Sequence, residues 1–355
     1  MCGISGYLDL HKGVDKHILK EMTDMISYRG PDDEGFALIS ASKTLFAKGK
    51  DSCVTGDEKY LCDCDEQGFF LGLGHRRLSI LDLSPLGHQP MEKHGRVMVY
   101  NGEVYNFIEL RAELEAQGYT FSSSCDSEVI LSAYDYWGSQ CVHHFNGMWA
   151  LAIYDPKKKT LFLSRDRFGV KPLYYYKDGE KLIFASEIKQ ILCDPAVPRI
   201  VNAEILAHYV KFNFREYSEE TFFQGIHALR GGCSMTVDLD PEGGNIQKMN
   251  IHRYYDLNAH VKAQPCQNSA EMVGDALRKA IRLRMRSDVK VGSCLSGGLD
   301  SSSIVGIICD ELKQIHKDPE NLTTVSIGFP DDKDINEIGF CHQVTDFCRC
   351  EEHII

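Results

Sequence analysis

The sequence predicts two unlike units in series: a layered α+β unit in which helices cover sheets, then the opening of an α/β unit built on a parallel sheet. Three observations carry this reading. From Cys2 to about residue 215 the chain reads as short strands punctuated by glycine turns, with few helices. After Pro265 strand and helix patterns alternate instead. The 355 residues, 43% hydrophobic and 10% aromatic, are more than one core requires.

In chain order, the first element expected is a helix over residues 14–26, with Val14, Ile18, Leu19, Met22 and Ile26 on one face. Two-residue alternation marks strands over 69–73, 96–100, 148–154, 160–165, 173–177 and 181–185. A second helix is expected over 106–117, with Phe107, Leu110 and Leu114 inward and a stop at Gly118. Residues 216–265 mix Phe222 and Phe223 with paired glycines, and read as a hairpin-rich connector. This gives domains over 2–215 and 266–355 with the connector between. In the second, a helix over 269–286, a strand over 289–295 and a helix over 301–316 are expected. A strand over 322–329 and a helix over 335–347 follow, and 351–355 starts a third strand.

A formal charge of −12 argues against nucleic-acid partners, which need a basic surface. No run of about 18 apolar residues is present, and Asp9, Lys12, Asp15 and Lys16 stand among the first twenty positions, so neither a membrane span nor a signal peptide is expected. The cytoplasm is the expected compartment. The fourteen cysteines are scattered and expected to be reduced. Cys62/Cys64 and Cys348/Cys350 lack zinc-finger spacing.

Several segments carry chemistry. Removal of Met1 would make Cys2 the free amino terminus, placing a thiol beside an α-amine that titrates near about 8 and can take its proton. The Gly-Ile-Ser-Gly that follows suits close approach of a substrate, although an ordinary buried cysteine is the alternative. Asn101-Gly102 offers an amide beside a glycine N–H, an oxyanion hole or, taken alone, a turn. Gly74-His75-Arg76-Arg77-Leu78 and Cys125-Asp126-Ser127-Glu128 supply the opposite charges that a free amino acid needs, although solvated surface charge would look the same. Arg29-Gly30-Pro31-Asp32 and the run 165–175 are polar and rigid, as in turns clamped by ion pairs. Finally, Ser296-Gly297-Gly298-Leu299-Asp300-Ser301-Ser302 lies between a strand and a helix, where glycines and N–H groups cradle phosphate; a serine cap with a glycine turn is the plainer reading. The lysine of a Walker loop is missing, which turns the reading toward pyrophosphate, with Asp300 near a magnesium ion.

Together these motifs resemble the glutamine-dependent asparagine synthetases, class II amidotransferases. Met1-Cys2-Gly3-Ile4, Arg29-Gly30-Pro31-Asp32, residues 75–80, 101–106, 125–128, 145–150, 165–175, 184–189 and 296–302 carry the resemblance. It implies an N-terminal-nucleophile hydrolase fold, layered αββα, followed by an adenine-nucleotide hydrolase-like α/β domain. In that family's terms Cys2 attacks the glutamine amide, Asn101 and Gly102 hold the oxyanion, and Arg77, Glu103 and Asp126 bind glutamine. Ammonia passes through an internal tunnel. Ser296, Gly297, Gly298, Asp300 and Ser301 hold the pyrophosphate of ATP, Asp300 lies near Mg²⁺, and Leu295 and Ile327 lie near the adenosine. Aspartate is the implied acceptor and a homodimer is compatible with the resemblance. The family's Ser-Gly-Glu-Gly motif does not occur. The expectation is therefore a C-terminally truncated chain whose second domain is incomplete. Amidation of another carboxylate and a noncatalytic glutamine or nucleotide sensor are the competing readings.

Overall fold

The first strand, β1 (Gly3–Asp9), is buried at every position and hydrogen-bonds antiparallel on both sides. The start of the chain is thus fixed inside a sheet. The structure is a computed structural model describing residues 1–54, 56–261, 268–316, 318–329, 331–332 and 335–355. The chain divides into two units, Met1–Val261 and Lys262–Ile355.

After β1 the first unit contains α1 (Lys16–Asp24), β2 (Asp33–Ile39), β3 (Thr44–Lys48), β4 (Leu71–Arg77), β5 (Met91–Lys93), β6 (Arg96–Val104), α2 (Phe107–Glu115) and α3 (Asp126–Trp137). It continues with β7 (Gly147–Asp155), β8 (Thr160–Arg165), β9 (Tyr174–Asp178), β10 (Lys181–Ala185), α4 (Ile188–Ile191) and α5 (Ala203–Phe212). β11 (Ile226–Ala228), β12 (Cys233–Asp240), β13 (Asn245–Arg253) and α6 (Leu257–His260) complete it. One sheet has the order β11-β9-β10-β1-β4-β2-β3, the other β13-β12-β8-β7-β6-β5.

Period-two alternation sorts side chains into layers. Val97 and Val99 of β6 join Ile4, Leu8, Leu73, Ala152 and Leu163 in a core drawn from both sheets. Met98 and Tyr100, on the other face of β6, pack with Leu110 and Leu114 of α2 and Ile130 of α3. Leu19 and Met22 of α1 lie with Tyr7, Phe36 and Ile183 of the other sheet. The result is the αββα layering, each buried aliphatic or aromatic side chain contributing about 1.5–3 kcal/mol.

Residues 216–261 are not a separate connector. β11 extends one sheet and the β12–β13 hairpin extends the other; the alternating burial of β12 made it a sheet member rather than a linker. The expected boundary at 265/266 lies outside the described residues. Gly3 and Gly6, read as room for a substrate, make room for the protein's own core: a Cβ at Gly3 would meet the Ile26 side chain, and one at Gly6 the Phe184 ring.

In the second unit α7 (Ser269–Arg284), β14 (Gly292–Cys294), α8 (Leu299–Gln314), β15 (Thr323–Ser326), α9 (Ile338–Cys348) and β16 (Glu351–Ile354) alternate as expected. The sheet β14-β15-β16 is parallel throughout. Its core gathers Ile281, Leu295, Val305, Ile308, Leu312 and Leu322.

Candidate active site

One cavity of about 350 Å³ in the first unit is lined by all six residues that sequence singles out there: Cys2, Arg77, Asn101, Gly102, Glu103 and Asp126. Topology explains the convergence. Cys2 precedes β1, and the register that pairs Gly3 with Arg76 sets it beside the end of β4. There Leu78 N donates to Cys2 Sγ at 3.3 Å, and Arg29 Nε donates to the Cys2 carbonyl at 3.0 Å. Arg29 also pairs with Glu187 at 2.9 Å, so part of the expected ion-pair clamp holds the Cys2 backbone.

Asn101 and Gly102 belong to β6, in the other sheet. His75 of β4 bonds through Nε2 to the Tyr100 carbonyl at 2.9 Å, tying the two sheets together beside the cavity. Burial pushes the His75 imidazole down to about 3, so it stays neutral and donates from Nε2. Asn101 is 1% exposed, and neither its Nδ2 nor its Oδ1 has a hydrogen-bond partner among the described residues. Such orphaned groups are rare in folded proteins and point to a ligand that completes them. Glycine at 102 is required by β7, because a Cβ would meet the Met148 carbonyl and the Trp149 backbone.

The charges are arranged in depth. Asp126 opens α3 and its carboxylate accepts from Tyr100 Oη at 2.8 Å and Val104 N at 2.9 Å. Burial nevertheless pushes its pKa upward. Glu103 rises to about 7, first through burial and then through repulsion from Asp126, with Lys171 opposing. Arg77 donates to the carbonyls of Leu81, Asp82 and Ser84 while facing the cavity. The Cys2 thiol is raised by burial, against the Leu78 N–H, the amino terminus, Arg77 and Lys171. Burial lowers the pKa of the Met1 amine, favouring its unprotonated form.

Lys171 and Gln89 also line the cavity, and sequence reasoning did not assign them. Lys171 is 6% exposed and sits in the run 165–175. That run is clamped chiefly by one carboxylate rather than by ion pairs: Asp166 accepts from the backbone N–H groups of Trp149, Phe168, Val170 and Lys171. Its rigidity was the available signal. Gln89 accepts from Tyr100 N at 2.7 Å, a side-chain bond beside the β5–β6 hairpin that no motif in the sequence encodes.

In the second unit Leu295 N donates to Val325 O at 2.9 Å, so the ends of β14 and β15 lie side by side. This brings Ser296–Ser301 and Ile327 to the carboxyl edge of a parallel sheet, where open α/β sheets bind ligands. Gly297 adopts φ +78°, and Ser296 N donates to Ser301 Oγ at 3.3 Å. Asp300 stands exposed in the first turn of α8, while Ser302 Oγ is buried without a partner among the described residues. The Leu295 side chain lies in the core, leaving only its backbone toward the loop.

The family model described as a glutamine amidotransferase domain matches residues 56–255, more than half of the chain. The chain belongs to this glutamine amidotransferase family. The model described as asparagine synthase matches residues 272–355. A Methanocaldococcus jannaschii protein provisionally named glutamine-hydrolysing asparagine synthetase 2 is 35% identical over 99% of this chain and 64% of its own length. Glutamine-hydrolysing asparagine synthetase 3 of Bacillus subtilis is 33% identical over 93% and 48%. The amidase chry2 of Gibberella zeae is 28% identical over 100% and 51%. The chain therefore spans about half to two thirds of the length of these curated relatives. Among solved structures, glutamine phosphoribosylpyrophosphate amidotransferase from B. subtilis aligns at TM-score 0.53 and 14% identity, covering 99% of this chain and 81% of that one. That likeness supports the fold alone.

Proposed function

We propose that this chain hydrolyses glutamine at Cys2 and is the amino-terminal part of a glutamine-dependent asparagine synthetase. The observation that carries the glutaminase is the unpartnered, buried amide of Asn101 in the same cavity as the Cys2 thiol. With Met1 removed, the α-amine of Cys2 takes the thiol proton, and the thiolate attacks the side-chain carbonyl carbon of glutamine. The Asn101 amide and the Gly102 N–H receive the oxyanion. The ammonium so formed returns its proton to the departing nitrogen, ammonia leaves, and a γ-glutamyl thioester remains for water to cleave to glutamate. Arg77 faces the α-carboxylate; Glu103 and Asp126 face the α-ammonium.

In the second unit the loop 296–302 would hold the pyrophosphate of ATP while aspartate attacks the α-phosphate. Aspartyl-adenylate and pyrophosphate form, and ammonia then displaces AMP to give asparagine. Mg²⁺ suits the exposed Asp300 carboxylate, a hard oxygen donor at a phosphate-binding turn, where it would neutralise phosphate charge. Of the reaction's needs, this chain's residues supply the backbone cradle and the Ser296 and Ser301 hydroxyls.

Glutamate release, measured with and without ATP and aspartate, tests the proposal. Glutamate is expected in both. Asparagine and AMP appearing together support the synthetase reading, and glutamate alone confines this chain to the glutaminase step. No glutamate from protein whose intact mass begins at Cys2 refutes the assignment.

The acid near the α-ammonium gives a pH prediction. Glutamine's ammonium needs Glu103 ionised, and its free-enzyme pKa is raised to about 7. Affinity therefore strengthens as pH rises through about 7 and levels off above it. Glutamine titrated calorimetrically into the Cys2→Ala variant should bind about tenfold more tightly at pH 8 than at pH 6, because a carboxyl titrating at about 7 is about ten times more ionised at the higher pH. Glu103→Gln should bind more weakly and with a flat profile.

A further inference from the structure

A second set of reactive side chains meets outside the glutamine cavity. Asp33 opens β2, Cys53 lies beyond β3 and His88 precedes Gln89, yet a carboxylate oxygen, the thiol sulfur and a ring nitrogen from these residues all lie within 4.8 Å of one another. His88 Nδ1 is 2.7 Å from Asp33 Oδ2, and Cys53 N donates to Asp33 Oδ1 at 2.8 Å. His88 Nε2 is turned toward the backbone of Gly35, where a Cβ would collide with it. Nδ1 is consequently the nitrogen offered to the other two groups. Asp33 is 1% exposed, while Cys53 and His88 are half-buried, so the cluster has a closed floor and an open mouth.

The geometry points to a zinc site, with Zn²⁺ held by a carboxylate oxygen of Asp33, the thiolate of Cys53 and Nδ1 of His88, and water in the fourth position. Sulfur, nitrogen and oxygen donors together suit this borderline ion better than Mg²⁺ or Ca²⁺, which take oxygen alone. Charge also balances: one thiolate and one carboxylate neutralise the two positive charges, and imidazole adds none. On binding, the S–Zn bond forms as the S–H bond breaks, and the proton goes to solvent. Bonds of about 2.0 Å to nitrogen and oxygen in a tetrahedral site set those atoms about 3.3 Å apart, so the His88–Asp33 contact opens by about 0.6 Å.

The consequence reaches the glutamine cavity. His88 lies between Gly87 and Gln89, both of which line that cavity, and Gly87 packs against the Arg77 guanidinium. An ion at His88 would fix this wall to β2.

Metal-free protein titrated with Zn²⁺ against a chromophoric chelator tests the site, with Co²⁺ substituted to read a thiolate-to-cobalt absorption band. One equivalent is expected, weakened at least about 100-fold in Cys53→Ser and His88→Ala, beyond what losing an outer partner costs. Cys53→His should retain zinc and lose the sulfur band, which separates loss of a ligand from loss of the fold. Cys62→Ser, a change at an exposed cysteine outside the cluster, should bind as the parent does. Absence of a tight equivalent in the parent protein, or full binding in both Cys53→Ser and His88→Ala, overturns the site.

Discussion

Cys2→Ala removes glutamate release, by at least about 10³-fold in kcat, while glutamine still binds and the circular dichroism spectrum is unchanged. The size follows from the step lost: without sulfur at residue 2 there is no thioester, and water would have to attack the amide directly. The closest competitor in the cavity is Cys125, which also lines it. Its thiol is 2% exposed, lies 2.9 Å from Ser123 Oγ, and is raised by burial with Asp126 and Glu128 adding to the rise. A thiol in that setting stays protonated. Cys2 instead accepts from Leu78 N and has an α-amine, Arg77 and Lys171 acting to favour its thiolate. Cys125→Ala should accordingly keep glutaminase activity. Loss of activity in Cys125→Ala together with retention in Cys2→Ala would assign the thioester to the wrong sulfur here.

Sequence located the elements whose side chains alternate or repeat between two environments. β8 and β10 match the expected residues, their side chains alternating between two cores, and α1 and α2 differ from expectation only at their ends, each presenting one face to a core and another to solvent. α3 escaped because its residues 126–134 are buried without interruption, so no amphipathic period is written there. β1 and β2 are likewise buried at all seven positions, but Gly3, Ser5 and Gly6 in one and Asp33, Glu34 and Gly35 in the other interrupt the apolar alternation that marks β8. The site motifs were legible because they pair a reactive group with glycine or with opposite charge in a few consecutive residues. What made them one site was not. The Gly3–Arg76 pairing and the His75–Tyr100 bond join segments far apart in the chain. The Asp33, Cys53 and His88 cluster is wholly of this non-local kind, and the spacing of the cysteines gave no hint of it.

Asn101→Leu, which keeps the shape and removes both polar atoms, is expected to lower kcat about 100- to 1000-fold with little change in KM, a loss of about 3–4 kcal/mol of transition-state stabilisation. The reasoning rests on what the amide lacks in the free protein. Its Nδ2 and Oδ1 are buried and unbonded among the described residues, so Asn101 gives the resting fold no hydrogen bond to lose. An orphaned buried polar group costs about 1–3 kcal/mol, and its removal should therefore leave denaturant stability unchanged or raise it. Activity and stability then move in opposite directions, as they do where a fold tolerates a local misfit for its chemistry. A structural asparagine behaves otherwise: its loss lowers stability and affects KM and kcat through the distorted cavity. Asn101→Asp sharpens the distinction, since a carboxylate in the same volume meets the developing oxyanion with like charge and should be at least as inactive as leucine. Asn101→Leu with parental kcat, or with stability falling in step with activity, would return this residue to an ordinary structural position in β6 and leave Gly102 without its partner.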